Sequence, residues 1–286
     1  MYDSASPSRS RSDGAASVPA FVRDDSRLHA SFVARAPATT RIDRLYSHGS
    51  LRLRMPRAHG ICQAVLINTG GGIAGGDRMA LDFAIGTGAD VSITSQAAEK
   101  IYRAEGSEPA SIATRMSVDS GARLDWLPQE TILFDGSRLQ RTLDVELDPT
   151  ARLTLLESVV LGRGAHGETV QHGSLRDRWR IRRGGRLVLA EAIRLDGEIA
   201  AQMARAAIGA GARAMATLLH IAPDAEQRLD ATRVGLADTS SRCGASAWNG
   251  CLVVRFLSSD PAALRVDAAR AATLLTGRAM PRSWAC

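Results

Sequence analysis

Between residues 50 and 195 the apolar side chains recur at every second position, not at the ~3.6-residue spacing of a helix. Leu81, Phe83 and Ile85 alternate with other residues, as do Val91 and Ile93. Ile112, Thr114, Met116 and Val118 alternate with Ser111, Ala113, Arg115 and Ser117. Turn signals at Gly86/Gly88, Asp119-Ser120-Gly121, Asp135-Gly136, Asp148-Pro149 and Gly162/Gly164 cut the pattern into short segments. Arg183-Gly184-Gly185-Arg186 lies between Trp179/Ile181 and Leu187-Val188-Leu189, and paired glycines supply the positive φ angles of a tight hairpin. Many short strands without intervening helices imply an all-β body.

Three regions follow from this texture. Residues 1–26, rich in Ser, Arg, Asp and Pro, offer almost nothing to bury and read as a disordered tail. Residues 27–200 form the β-rich body, and residues 201–286 an α+β part packed on it. In that last part Ala214–Ile221 suits a strand or a buried helix, and Pro223-Asp224-Ala225-Glu226 opens a helix running to about Val234. Leu252, Val253, Val254 and Phe256 read as a strand. Asp260 is placed to cap a helix that has Pro261 at its first position and runs to about Leu275.

Composition narrows the function classes. A chain of 286 residues can close a core without metal or disulfide staples. Its cysteines, Cys62, Cys243, Cys251 and Cys286, include no CxxC pair, and with no signal sequence at the start they are expected as reduced thiols in a cytoplasmic protein. No apolar run approaches the ~20 residues of a membrane helix. The net charge is +6, and of 36 basic residues Lys100 alone is lysine. The charge is dispersed among 30 acids, which disfavours nucleic acid as the partner.

The sharpest local motif is Gly70-x-Gly72-x-x-Gly75, inside the run Asn68–Asp77. It has the form of a dinucleotide fingerprint, which needs a helix at its end to receive the pyrophosphate. Strand alternation continues instead through Ile85, so the loop is expected to be a tight turn, or a place of close backbone approach, ending in the carboxylate Asp77. Thr94–Arg103 is polar after a strand and contains Gln96, Glu99 and Lys100, with Glu99–Lys100 expected as a surface pair. Leu127–Arg138 sets Gln129, Glu130 and Asp135 among apolar residues, and Glu157 and Glu168 add carboxylates to strand edges. Such groups either point outward or pair with the abundant arginines. No HxxxH, HExxH, GxSxG or SxxK spacing occurs, so the residues alone favour a binding or scaffold protein over an enzyme.

Taken in order, Gly71-Gly72-Ile73-Ala74-Gly75-Gly76-Asp77, Gln96–Arg103 and Leu127–Gly136 closely resemble the urease accessory protein UreD (UreH) family. Leu161-Gly162-Arg163 with Gly167-Glu168, Asp177-Arg178-Trp179, Gly244-Ala245-Ser246-x-Trp248 and Pro281-Arg282-Ser283-Trp284 extend the resemblance over residues 30–286. It implies a layered, β-helix-like array of short strands with a smaller α-containing C-terminal part. It also implies a non-enzymatic role: bridging the urease apoprotein to UreF, which recruits the GTPase UreG, and guiding Ni2+ along an internal polar path. No cofactor would be permanently bound; nickel would be weakly held in transit. On residue chemistry, the path residues are expected to be Asp77, Gln96, Glu99, Gln129, Glu130, Asp135, Glu157 and Glu168. The alternatives are a dinucleotide-binding oxidoreductase built on the Gly70–Gly75 loop and a basic RNA-binding β protein.

Overall fold

In the computed structural model, which describes residues 23–35, 39–56 and 61–285, the alternating segments become strands. In chain order they begin β1 (Asp25–Arg35), β2 (Thr39–His48), β3 (Leu51–Arg54), β4 (Cys62–Asn68) and β5 (Arg78–Ile85). Next come β6 (Asp90–Ser95), β7 (Glu99–Ile101), β8 (Ala110–Val118), β9 (Arg123–Leu127) and β10 (Thr131–Leu133). The body ends with β11 (Arg138–Leu147), β12 (Arg152–Leu161), β13 (His172–Arg183) and β14 (Arg186–Glu198). The short helix α1 (Ile199–Ala204) then leads to β15 (Ala214–Ile221), α2 (Leu229–Gly235), β16 (Arg242–Trp248), β17 (Cys251–Ser258) and α3 (Pro261–Thr276).

From β4 to β13 the chain winds as a solenoid. Successive long strands alternate between two facing sheets, and each pairs in parallel with the strand one coil away. The first sheet runs β14-β13-β11-β8-β5-β1-β2, and the second β16-β17-β15-β12-β9-β6-β4-β3. A narrow third side is made by β7 and β10, which pairs onward with β12. Antiparallel partners stand at both ends: β2 and β3 at one, β14 and β15–β17 at the other. A parallel stack otherwise ends in unpaired edges, and these strands extend it with differently oriented edges.

Alternation now acquires a second dimension. Because the coils stack in register, inward residues line up in rows across the strands. Val91, Leu124, Leu153, Ile221 and Cys251 make one such row, and Ile93, Trp126, Leu155, Leu219 and Val253 the next. Together with Leu81, Phe83, Leu143, Val145 and Ile181 from the facing sheet they form the main core. The outer face of the second sheet carries a second core, where Leu156, Leu218 and Phe256 meet Leu264, Ala268 and Leu275 of α3.

The mainly β, layered architecture is therefore the one expected, and the C-terminal helices lie where they were sought. Ala214–Ile221 is a strand. It and β16–β17 continue the second sheet, so the C-terminal part shares a sheet with the body. Asp260 Oδ1 accepts a hydrogen bond from Ala262 N at 2.9 Å, the cap expected for α3. Gly184 and Gly185 take φ of 57° and 76° in the β13–β14 hairpin. Residues 1–22 of the expected tail lie outside the described residues, and β1 begins at Asp25. After α3, Arg278 ties the chain end back to the solenoid through Asp90 at 2.5 Å and Asp125 at 3.1 Å. Among the described residues no helix is long and apolar enough to cross a membrane.

The glycine loop is a close-approach site, as its sequence suggested, and it feeds β5 rather than a helix. A Cβ on Gly75 would lie 2.8 Å from Glu108 O and 2.7 Å from Ala104 Cβ. Gly75→Ala is therefore expected to lower stability by about 1–3 kcal/mol through backbone displacement, seen as a lower urea midpoint at unchanged m-value.

Candidate functional site

Two of the inward rows break the apolar rule. In β11 the alternation Leu139-x-Arg141-x-Leu143-x-Val145 places an arginine where an aliphatic residue belongs. Asp177 interrupts β13 between Leu175 and Trp179, and Glu157 interrupts β12 between Leu155 and Val159. Parallel register sets Arg141 beside Asp177 in the first sheet. In the second sheet Glu157, Thr217 and Arg255 form the facing polar row.

These side chains meet between the sheets. Arg141 Nη1 donates to Glu157 Oε2 at 2.5 Å, and Nη2 donates to Asp177 Oδ2 at 2.6 Å. Each carboxylate spends its other oxygen on an indole: Trp126 Nε1 donates to Glu157 Oε1 at 2.8 Å, and Trp179 Nε1 to Asp177 Oδ1 at 3.2 Å. Arg141, Glu157 and Asp177 are at most 8% exposed. Burial pushes the Glu157 carboxyl above its ordinary pKa despite the pull of Arg141. Burial also opposes the charge on Arg141, but Asp177 and Glu157 outweigh it and hold the guanidinium protonated.

A cavity of about 180 Å3 adjoins this layer, lined by Arg141, Glu157, Asp177, Trp179, Thr217, Glu191 and Arg255 among others. Across the two sheets at this point Arg255 donates to Glu191 at 2.5 Å; Arg255 is 52% exposed and Glu191 15%. The ion pair thus stands where the interior meets solvent. Arg141 Nη1 also donates to Thr131 Oγ1 at 3.3 Å, and Thr131 shares a register position with Glu99. Glu99 accepts from Asn68 Nδ2 at 3.0 Å, and burial raises its pKa. Asn68 beside the glycine loop is thus bonded to Glu99, Glu99 is related to Thr131 by strand register, and Thr131 is bonded to the charged layer that borders the cavity.

Glu99 and Glu157 are the two of the eight sequence-selected residues among these groups. Glu99 forms no ion pair with Lys100, contrary to expectation, because successive β-strand side chains point to opposite faces and Glu99 takes the inner one. Of the other six, Gln96 is exposed and contributes its backbone carbonyl, and the remaining five secure turns and seams. Asp77 accepts from Asp24 N at 3.0 Å and Ala74 N at 2.7 Å. Gln129 donates to Gln96 O and Ser283 O, while Gln129 Oε1 and Glu130 both accept from Arg265. Asp135 pairs with Arg103 at 2.9 Å and accepts from Gln171 N and His172 N. Glu168 is pulled down to about 2, chiefly by its hydrogen bond from Arg163.

Arg141, Asp177, Glu191 and Arg255 were absent from the sequence-selected set. Their signal was present all the same: a charge standing on the apolar phase of an alternating segment. Among the described residues no three His, Cys, Asp or Glu side chains stand close enough to hold a metal ion. A wider cleft of about 720 Å3 lies on the narrow third side, where Tyr102 meets Phe134 edge-on and Arg163 stacks 4.4 Å over Phe134.

These features define a two-sheet β-solenoid with a charged layer between its sheets, bordered by a cavity. The chain belongs to the urease accessory protein UreD family, which it matches over residues 24–285. It is 50% identical over 274 residues to the urease accessory protein UreD of Methylobacterium sp. (strain 4-46), covering 94% of this chain and 97% of that one. Urease accessory protein UreD 2 of Methylorubrum populi is 48% identical over 97% of this chain and 92% of its own. Urease accessory protein UreD of Xanthobacter autotrophicus is 46% identical over 86% and 85%.

Proposed function

We propose that this chain matures urease by bridging the urease apoprotein to UreF and, through it, to UreG, and by passing Ni2+ toward the urease active site along its interior. The observation that carries this reading is the charged layer: carboxylates buried between the sheets, next to a cavity, in a chain of the urease accessory family. A conduit must hold its ion well enough to admit it and weakly enough to let it go. Clustered His and Cys would bind Ni2+ tightly, as its place in the affinity series requires. Singly spaced oxygen donors such as Glu99, Glu157 and Asp177 suit transit better. Asp77, Gln129, Glu130, Asp135 and Glu168 anchor the turns and seams around these groups.

The test is nickel per urease active site in cells expressing the other urease genes, with and without this chain. Urease is expected to stay nickel-poor and inactive without it and to fill with it. Equal loading in both cultures would overturn the maturation role. Co-purification of the chain with UreF, with UreG retained only when UreF is present, is the expected order of assembly.

A further inference from the structure

The charged layer is not electrically balanced. Arg141 carries one positive charge against the two carboxylates of Glu157 and Asp177, and Arg255 and Glu191 cancel each other across the cavity. The interior thus holds a formal excess of one negative charge beside a space of about 180 Å3. Arg141 divides itself between the two acids, with one nitrogen on each, while its buried Nε has no hydrogen-bond acceptor among the described residues. A guanidinium used purely as a strut would be expected to have all three nitrogens satisfied in so dry a place.

Resting on the maturation reading above, we propose that Arg141 is a built-in counter-ion that competes with the travelling dication for Glu157 and Asp177, so that the layer passes the ion instead of keeping it. Without the guanidinium, two carboxylates and the cavity would form a cation trap, because two unscreened negative charges in a medium of low polarity attract a dication strongly. With it, each carboxylate that releases the ion recovers a hydrogen bond at once. Arg141 therefore acts through the acids, as a positioning residue, and Trp126 and Trp179 hold those acids in their orientations while the guanidinium yields.

The experiment uses the full chain co-expressed with urease and the remaining accessory proteins, comparing wild type, Arg141→Gln, Arg141→Lys and the double variant E157Q/D177N. Two quantities are read: Ni2+ retained by the purified chain after desalting, and nickel per urease active site. Retention is expected to rise at least tenfold in Arg141→Gln. It should rise to a lesser degree in Arg141→Lys, whose single ammonium can cover only one carboxylate at a time. Urease loading should fall in the same order. A merely structural arginine would reduce stability in both variants without raising retention, so either folded variant retaining no more nickel than wild type overturns the proposal. Should Arg141→Gln fail to fold, Arg141→Lys decides alone. Normal urease loading by E157Q/D177N would instead sink the interior path itself. Blocked loading by that variant, with no extra retention in the Arg141 variants, would sink only the counter-ion role.

Discussion

Removing the Arg141 side chain, as in Arg141→Met, is expected to lower the stability of the protein by about 3–5 kcal/mol, as read from urea unfolding. The loss comes from what is left behind. Glu157 and Asp177 are buried between the sheets, and Arg141 is the cation that pairs with both. Stripped of it, they must either remain charged in a poor solvent or take up protons, and either course costs free energy. The companion variant separates this penalty from the worth of the ion pairs. In Arg141→Met combined with Glu157→Gln and Asp177→Asn no charge remains, yet the amide oxygens can still accept from Trp126 Nε1 and Trp179 Nε1. Its stability is expected to return to within about 1–2 kcal/mol of wild type, since a buried ion-pair cluster replaced as a unit costs little. A triple variant as unstable as the single one would show that the layer matters for its shape and not for its charge.

The second large effect is acid sensitivity centred on His220. This histidine is buried on β15, 3.0 Å from Thr154 Oγ1, and its Nε2 has no hydrogen-bond partner among the described residues. Burial is the main cause that lowers its pKa from 6.5 to about 4, and Arg228 pushes the same way, against Asp224; Arg123 and Arg152 add to the lowering. The unfolded chain therefore binds the proton first. Stability from this residue is complete above pH 6.5, declines as pH falls from there toward 4, and levels off below. Across that window the loss amounts to about 3 kcal/mol. His220→Gln removes the titration, so its urea midpoint should fall less than that of wild type between pH 6.5 and 4.5. Parallel curves for the two proteins would mean that other groups, such as the buried acids, govern the acid limb.

Strand content was legible in the sequence because burial of one face forces a period of two, and that requirement is local. The β13–β14 hairpin was legible because two adjacent glycines with positive φ have few other uses, and the α3 cap because Asp260-Pro261 satisfies the first turn from within its own segment. The acidic loops were also visible, and the prediction that their carboxylates would meet arginines holds at Glu130, Asp135, Glu157 and Glu168. Which of them turned inward was harder to read. Glu99 looked like half of a surface pair, since its three-residue strand is too short to reveal its phase.

Local patterning along the chain thus specifies the strands, their turns, the C-terminal helix and, through three ordered motifs, the family. That Arg141, Glu157 and Asp177 share one layer follows from the folded arrangement alone. They lie 16 and 36 residues apart on different strands, and no periodicity along the chain links them. What unites them is the register between stacked coils, fixed by hydrogen bonds between strands that are distant in sequence. Alternation says which face a residue takes; only the stacking says which residues it will find there.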